Sequence, residues 1–585
     1  MVTTTVMPMP CANWKDGGSV CFREGTLVCK GCKLVLYCSR HCQIKHWREH
    51  KKECKSPLGK TTWLPAWDRE RRAPAWSHGE AATNLHNPFG PNKHFWGNTP
   101  AMDVLQLLRN EGPAYDKDIT VLFAASGDVR NAVQTIRNLP PDFEHQVKMT
   151  INDKDFDITA KNAVILLLAL SSLEEGYNQT DFEILAETLI HVWYSATITK
   201  DTLSELQSRV KPLISDVCER AVDKQPNILI RKTWTFKSGS SLLLVLKKED
   251  WARVMEFFDI PEDLTLEKSR QLRHAITLAP EREDYRDRWY FKDASPSMRV
   301  AKQRYREDGL LLPFGHPRIG FDYPNPTLFQ TVFQTISSWP LDDKADPLGG
   351  WPLDEVRATS SRIPQDIYGK LFSYLRGVFS AFLRRIATRK IHFELFNLDA
   401  KELIQHLVVE EGVYDRIEAS NISDTCWLGT RETLRCLSPL LKTPADNPHA
   451  TLITVYLNAV METAKSSDAE GEELDVARTL EYMTNIQDIN IIRNPQGAEM
   501  YRVWDARGFT YDVDKLFSKY MAVQHFEDIE RDLHVTMKEQ NTIGDAWPTA
   551  LKLRPGQEGA QEEFDDALAS SYTGVERYVE WKRAV

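Results

Sequence analysis

Residues Leu27–Cys54 read LVCKGCKLVLYCSRHCQIKHWREHKKEC and hold five cysteines and three histidines within 28 positions. Seven of the ten cysteines of this 585-residue chain lie before residue 55, whereas Cys218, Cys426 and Cys436 are scattered. The first ten residues, MVTTTVMPMP, lack the basic and long apolar regions of a cleavable signal peptide, which predicts an intracellular protein, cytoplasmic or nuclear. In such a reducing compartment clustered thiols indicate metal binding rather than disulfides.

The clustered residues fall into four pairs whose spacing is typical of zinc ligands. A C-x2-C turn supplies two ligands from one knuckle, and residues four apart on a helix lie on the same face. A segment this short has too little apolar core to fold unaided, so metal binding would supply the folding free energy. The pairs are Cys11 with Cys21, Cys29 with Cys32, Cys38 with Cys42, and His50 with Cys54, which is enough for two zinc ions.

The order of these ligands resembles the MYND-type zinc finger, whose pattern ends on C-x2-C, a Tyr-Cys pair with a second cysteine, and H-x3-C. A RING or PHD finger would instead end on a C-x2-C knuckle, which is absent here. The pairs of a MYND finger interleave. The resemblance therefore implies one ion on Cys11, Cys21, Cys38 and Cys42 and a second ion on Cys29, Cys32, His50 and Cys54.

One feature departs from the family pattern. The first MYND pair is normally C-x2-C, whereas nine residues, ANWKDGGSV, separate Cys11 from Cys21. The Lys-Asp-Gly-Gly within them could form a looped-out turn. His46, one helical turn before His50, is the alternative ligand.

MYND fingers are protein-interaction modules that hold short proline-containing peptides in a shallow groove beside the last helix. The resemblance implies that Gln43 and Trp47 line this groove, although Trp47 could instead cover the second zinc site. Residues 1–60 carry a formal charge of +7, which falls to about +4 once seven thiolates bind two zinc ions. The whole chain carries −10, so the remaining residues carry −17 and nucleic acid is not an expected partner.

A strand–turn–helix unit follows farther along the chain, in DITVLFAASGDVRNAVQTIRNLP. Its buried strand is expected over 119–125, its tight turn over 126–128 and its helix from residue 129. A second strand, HQVKMTIND, precedes another apolar helix, and this β-α-β-α order predicts a Rossmann-like parallel sheet. Asp153 ends the second strand where such folds hold a ribose, but the glycine fingerprint is missing. Gly127, Asp128 and Asp153 therefore predict at most a vestigial nucleotide site.

The same region resembles domain of unknown function 4470, the N-terminal domain type of axonemal dynein preassembly factors, which many fungal proteins join to a MYND finger. The resemblance lies in FWGNTPAMDVLQLL and LFAASGDVRN and covers roughly residues 90–190. It implies a fold and an assembly or scaffold role without an established reaction. The shared residues are Trp96, Gly97, Pro100, Ala101, Asp103, Gly127, Asp128 and Arg130.

Together these patterns predict a multidomain α+β protein. A zinc-stapled finger (11–54) is followed by a linker (55–92) that separates its core from the rest, a Rossmann-like domain (93–195) and a mainly helical body (196–585). The favoured function is a zinc-binding adaptor or scaffold whose finger captures a protein partner. The longest apolar run, AVILLLALSSL, is too short to cross a bilayer, so no membrane partner is expected.

The alternative function is an S-adenosylmethionine-dependent methyltransferase built on the Rossmann-like unit. P-loop, GxSxG, HExxH and kinase signatures are absent, which favours a protein that is not an enzyme. Ser126 and Asp128 flank the single glycine of the first turn, and Asp128 would repel the carboxylate of S-adenosylmethionine. We therefore expect this cofactor to bind weakly or not at all.

Overall fold

The structure is a computed structural model that describes residues 8–14, 20–77, 88–173, 179–292, 295–332, 336–407, 412–465, 469–483 and 494–584. The Lys-Asp-Gly-Gly turn expected between Cys11 and Cys21 lies outside these ranges. Within them, every helix is too short or too polar to cross a membrane.

The strands are β1 (Leu27–Val28), β2 (Leu36–Tyr37), β3 (Ile119–Phe123), β4 (Val147–Asn152), β5 (Thr197–Ile198), β6 (Leu229–Thr235), β7 (Ser241–Lys247), β8 (Tyr323–Pro324), β9 (Gln330–Val332), β10 (Ile336–Ser338), β11 (Ile391–Phe396), β12 (Arg416–Glu418), β13 (Thr451–Tyr456), β14 (Val535–Met537) and β15 (Arg577–Arg583).

The helices are α1 (Arg40–Cys54), α2 (Ala66–Arg69), α3 (Leu107–Asn110), α4 (Arg130–Arg137), α5 (Phe156–Ser172), α6 (Gln179–Tyr194), α7 (Lys200–Glu205), α8 (Lys211–Arg220), α9 (Lys248–Val254), α10 (Leu266–Thr277), α11 (Glu283–Lys292), α12 (Pro296–Asp308), α13 (Leu353–Ala358), α14 (Ile367–Thr388), α15 (Leu403–His406), α16 (Thr430–Leu437), α17 (Ala459–Lys465), α18 (Ala469–Tyr482), α19 (Ala498–Ala506), α20 (Val513–Val523), α21 (Phe526–Leu533) and α22 (Ala560–Ala569).

A nine-stranded mixed sheet organises the chain after the finger. Its order is β14-β15-β13-β12-β3-β4-β11-β7-β6. The six strands from β13 to β7 in this order are parallel, whereas β15, β14 and β6 join through antiparallel pairs. After β3 the chain builds β4 on one side of it and later β12 on the other side. The sheet therefore has a topological switch point between β3 and β12.

Apolar clusters cover both faces of the parallel strands. Along β3, Val121 and Phe123 belong to one buried cluster, while Leu122 and Ala124 belong to another. Successive side chains of a strand point to opposite faces, so the two clusters lie on opposite sides of the sheet. This burial explains why β13 is buried at all six positions and shows no polar alternation.

A mainly helical body was expected over 196–585, and this range does contain many helices, but it also supplies strands that the sequence did not predict. Seven of the nine sheet strands come from this range, and they flank β3 and β4 on both sides. The short apolar runs of β7 and β13 show no alternation and cannot be told from buried helix by periodicity, so the sequence did not predict them as strands. The protein is therefore α+β with many helices around one large sheet, and a separate Rossmann-like unit stays a prediction.

The segment expected as a linker packs against helix α11. Trp63, Trp67 and Trp76 are buried. Arg72 forms a 2.6 Å ion pair with the buried Asp284 of α11. Residues 57–77 thus form a strap fixed by aromatic side chains and charge.

The finger also contacts the body directly. Leu34 and Val35 share a buried cluster with Phe314, and Ser297 Oγ donates to the carbonyl oxygen of Cys32 at 3.3 Å. Arg304 of α12 forms an ion pair with Glu53 of α1. The core of the finger is therefore continuous with that of the body.

Candidate functional site

Helix α1 presents one face to the ligands of the finger. The Ser39 side chain caps its start by accepting a 3.3 Å hydrogen bond from the backbone N–H of Cys42. Cys42, His46 and His50 recur at helical spacing and are buried, while Trp47 points outward. Lys51 and Lys52 in the last turn favourably oppose the helix dipole.

Two groups of four side chains converge in the finger. In each group the potential ligand atoms lie within 4.8 Å of one another. In the first group, a pair from the first loops joins a pair at the start of α1. In the second group, the pair that follows β1 joins a pair at the end of α1. This is the interleaving implied by the family resemblance. The groups are Cys11, Cys21, Cys38 and Cys42, and Cys29, Cys32, His50 and Cys54.

The separations between ligand atoms test whether zinc fits. Zn–S bonds of about 2.3 Å in a tetrahedron place sulfur atoms about 3.8 Å apart. In the first group Sγ of Cys21, Cys38 and Cys42 are separated by 3.5 to 3.9 Å. In the second, Cys29 Sγ lies 3.8 Å from Cys54 Sγ. These are tetrahedral edges rather than the roughly 2 Å of a disulfide, and the two groups fit two zinc ions.

His50 enters the second group through Nε2, which lies 3.5 Å from Cys32 Sγ. Its Nδ1 faces Glu53 Oε2 at 3.8 Å, and Glu53 in turn pairs with Arg304. Burial opposes ionisation of Glu53, but the His50 contact and Arg304 together lower its pKa. A carboxylate behind a ligand histidine orients the ring, and sequence spacing gave no sign of this role.

His46, the alternative ligand, belongs to neither group. It is buried, and its Nδ1 lies 3.1 Å from the Tyr37 hydroxyl. Burial lowers the pKa of His46 to about 4, so the ring is neutral at pH 7. Its contacts assign it to packing between β2 and α1.

Gly31 lies inside the first knuckle of the second group. A Cβ at this position would stand 2.7 Å from Cys54 Sγ. Only glycine therefore lets the knuckle approach the last ligand this closely, a requirement visible only once the two segments are brought together.

Metal binding to these groups must release protons. Burial raises the pKa of the Cys11 thiol to about 12, whereas hydrogen bonds with Cys32 and His50 lower the pKa of Cys29 to about 3. Zinc binds thiolates, so the protons of the weaker acids must leave when it binds.

The groove residues implied by the resemblance lie on the outer side of α1. Gln43 is half-buried, Trp47 is 37% exposed and Ile44 is 66% exposed. The Trp47 ring also packs edge-on against His50 at 6.0 Å between centroids. Trp47 thus contacts a zinc ligand and solvent at once.

The residues shared with domain of unknown function 4470 meet at the start of α4. Asp128 is buried and forms a 2.7 Å ion pair with Arg130. It also accepts a 3.1 Å hydrogen bond from Gly97 N, while Arg130 donates to the carbonyl and hydroxyl oxygens of Thr99. We call these four residues the α4 lock. It fastens the segment around residue 97 to the first turn after β3.

A cleft of about 800 Å³ opens beside the α4 lock. Gly127 has φ +56°, and no atom lies within 4 Å of the position that a Cβ would take. Its backbone is therefore exposed to the open space of the cleft. Asp153 accepts from Gly127 N at 2.9 Å and from Asp155 N at 2.8 Å. Gly127 and Asp153 line the cleft, but Asp128 is turned into the lock. Gly127 and Asp153 thus lie in one cleft, whereas the Asp128 carboxylate faces Arg130, and a nucleotide site here stays a prediction.

Two known protein families match separate parts of the chain. The MYND finger family matches residues 19–54, and Domain of unknown function (DUF4470) matches residues 95–198. Ubiquitin carboxyl-terminal hydrolase 17 of Arabidopsis thaliana is 55% identical over 40 residues, which are 7% of this chain and only 6% of that relative. No solved structure matches. The chain therefore carries a MYND zinc finger and a DUF4470 domain.

Proposed function

We propose that this protein is a zinc-dependent adaptor or scaffold inside the cell, cytoplasmic or nuclear, whose MYND finger captures a proline-containing peptide of a protein partner. The observation that carries the proposal is the outer face of α1. Two large apolar side chains, Ile44 and Trp47, are exposed one helical turn apart on a helix fixed by both zinc groups. A rigid exposed aromatic beside an aliphatic neighbour is a typical anchor for a peptide.

The side chains that flank this pair on α1 are basic. Lys45 and Arg48 are exposed beside it, so an apolar centre has a basic rim. The β1 residues Leu27 and Val28 are exposed as well. A partner peptide that carries acidic residues beside its proline would match this rim.

A scaffold role for the rest of the chain follows from the DUF4470 resemblance to dynein preassembly factors and from fungal proteins that join this domain to a MYND finger. The alternative, an S-adenosylmethionine-dependent methyltransferase, has less support because the first turn after β3 holds the single glycine Gly127 in place of a glycine-rich fingerprint. The adaptor function is the better supported of the two.

The test is peptide binding to the full chain, with a fluorescent panel of proline-containing peptides. Trp47→Ala should weaken binding about thirtyfold, the equivalent of about 2 kcal/mol, while two zinc ions remain. Trp504→Ala is the control, because it removes a similarly exposed tryptophan, 43% exposed, from α19. This change should leave peptide affinity and zinc content as in wild type. Loss of zinc together with binding would make Trp47 a structural cover and remove the groove from the proposal.

A further inference from the structure

We infer that the cleft at the carboxyl edge of the sheet is a binding site for a ribonucleoside whose 5′ substituent is neutral or cationic. This inference goes beyond the adaptor function and concerns a different surface, remote in sequence from the finger. Its basis is the convergence of five strand ends on one cavity.

The position of the cleft is the first argument. Its lining includes residues that follow β3, β4, β11, β12 and β13, so it lies outside the carboxyl ends of the parallel strands and across the switch point. Open parallel sheets bind their ligands at this place, and a cavity of about 800 Å³ has room for a nucleoside. The loops contribute Ser126, Asp153, Asp399, Asn421 and Asn458.

Asp153 supplies the recognition of a ribose. Each of its carboxylate oxygens accepts one backbone N–H, from Gly127 or from Asp155, which fixes the carboxylate in the cleft. A carboxylate has about four acceptor sites, so both oxygens keep capacity for the two hydroxyls of a ribose. The bare backbone of Gly127 leaves room beside it for the sugar.

The turn after β3 argues against a phosphate. The backbone N–H groups of Ser126, Gly127 and Arg130 already donate to Asn152 O, Asp153 and Asp128 respectively. A phosphate at a turn of this kind needs such donors free. Arg130, which lines the cleft, already donates to Asp128 and Thr99. The turn therefore offers a phosphate fewer free donors than a typical phosphate-binding turn.

The remaining charges favour a cationic or neutral group. Asp153 and Asp399 line the cleft, and the charge of Lys154 lies over the Trp427 ring at 4.6 Å. Trp427 is 51% exposed and lines the cleft, so it offers an aromatic wall for a base on the ring face that Lys154 does not cover. The repulsion expected from Asp128 does not arise, because that carboxylate is neutralised by Arg130.

Isothermal titration of the full, zinc-loaded chain tests the inference. The probes are adenosine, guanosine, cytidine, uridine, S-adenosylmethionine and ATP. At least one nucleoside or S-adenosylmethionine should bind with a Kd below about 1 mM and more tightly than the nucleotide. No binding by any probe, or tightest binding by ATP, would overturn the inference.

Two variants locate the site. Asp153→Asn should weaken the bound probe about tenfold or more because the ribose loses a charged acceptor. Trp427→Ala, a surface change that leaves the fold intact, should also weaken it, whereas Trp504→Ala should not. If Asp153→Asn is folded, and if both variants bind the probe with the affinity of wild type, the probe binds outside the cleft.

Cysteine alkylation tests the same site without calorimetry. Cys426 is exposed and lines the cleft, whereas Cys436 does not line it. The bound probe should slow alkylation of Cys426 by iodoacetamide, measured by peptide mass spectrometry, and leave Cys436 unaffected. Unchanged alkylation of Cys426 at saturating probe would contradict the inference.

Discussion

The Trp14 indole donates a 3.1 Å hydrogen bond to the carbonyl oxygen of Gly315, across 301 positions of the chain. It joins the first loop of the finger to the segment after α12. Gly315 also packs closely on the finger, since a Cβ there would lie in van der Waals contact with both Ala12 and Val35 at 3.4 Å. The zinc finger is therefore built into the larger fold, although the sequence predicted two cores separated by a linker.

The stability of the body should thus depend on zinc. Cys29→Ser removes a ligand of the second group, and we expect loss of one ion and a melting temperature several degrees lower for the whole chain, because zinc binding supplies folding free energy to a packed interface. Calorimetry and metal analysis measure both. Cys218→Ser, on α8 and outside either group, is the control. An unchanged main transition in Cys29→Ser would restore the two-core prediction.

Gly31→Ala tests the geometry of the second zinc group alone. The added methyl would meet Cys54 Sγ at 2.7 Å, so the ligand must move away from the tetrahedron. We expect zinc affinity at this group to fall about tenfold or more, as for changes that misplace a ligand. Competition with a chromophoric chelator measures it. Gly377→Ala, where nothing lies within 4 Å, should leave affinity unchanged. Equal affinities would show that Cys54 adjusts freely.

The sequence predicted the finger better than the sheet. Zinc imposes ligand types and spacings that can be read along the chain, so the four ligand pairs from Cys11 to Cys54 could be recognised, and the resemblance to the MYND finger implied how they interleave. Glu53 and Gly31 were missed because their roles arise from neighbours, Arg304 and Cys54, that only folding brings close. Strand β13 was missed because burial on both faces removes the alternation that marks a strand, whereas the three residues of β12 are too few to show a period.

Gly97→Ala tests the α4 lock. An added Cβ would lie 1.8 Å from the Arg130 guanidinium carbon, so Arg130 must leave Asp128 and Thr99. Breaking a buried ion pair in this way costs about 3 kcal/mol of unfolding free energy. Urea unfolding measures the loss, with Gly377→Ala as the control that should be neutral or stabilising. A Gly97→Ala chain as stable as wild type would show that the lock can rearrange without cost.

Glu418→Gln tests the pH dependence of stability. Glu418 ends β12 at 3% exposure, and burial raises its pKa to about 7, against 4.5 in an unfolded chain. The folded protein therefore binds the proton more tightly than the unfolded chain. The stability that this provides is fully present below pH 4.5 and is lost as the pH rises toward 7. Its size is roughly 3 kcal/mol.

Glutamine keeps an oxygen to accept the 2.8 Å hydrogen bond from Ser420 N and cannot ionise. The free energy of unfolding of Glu418→Gln should therefore increase relative to that of wild type as the pH rises from 5 to 8. Urea unfolding of both chains at fixed zinc concentration gives this difference at each pH. Other carboxyls contribute equally to both chains and cancel, including the half-buried Asp103 and Asp153 and the buried Asp366, whose pKa values desolvation raises to about 6. A difference that stays constant from pH 5 to pH 8 would mean that Glu418 is ionised throughout, with Arg130 rather than a proton as its partner.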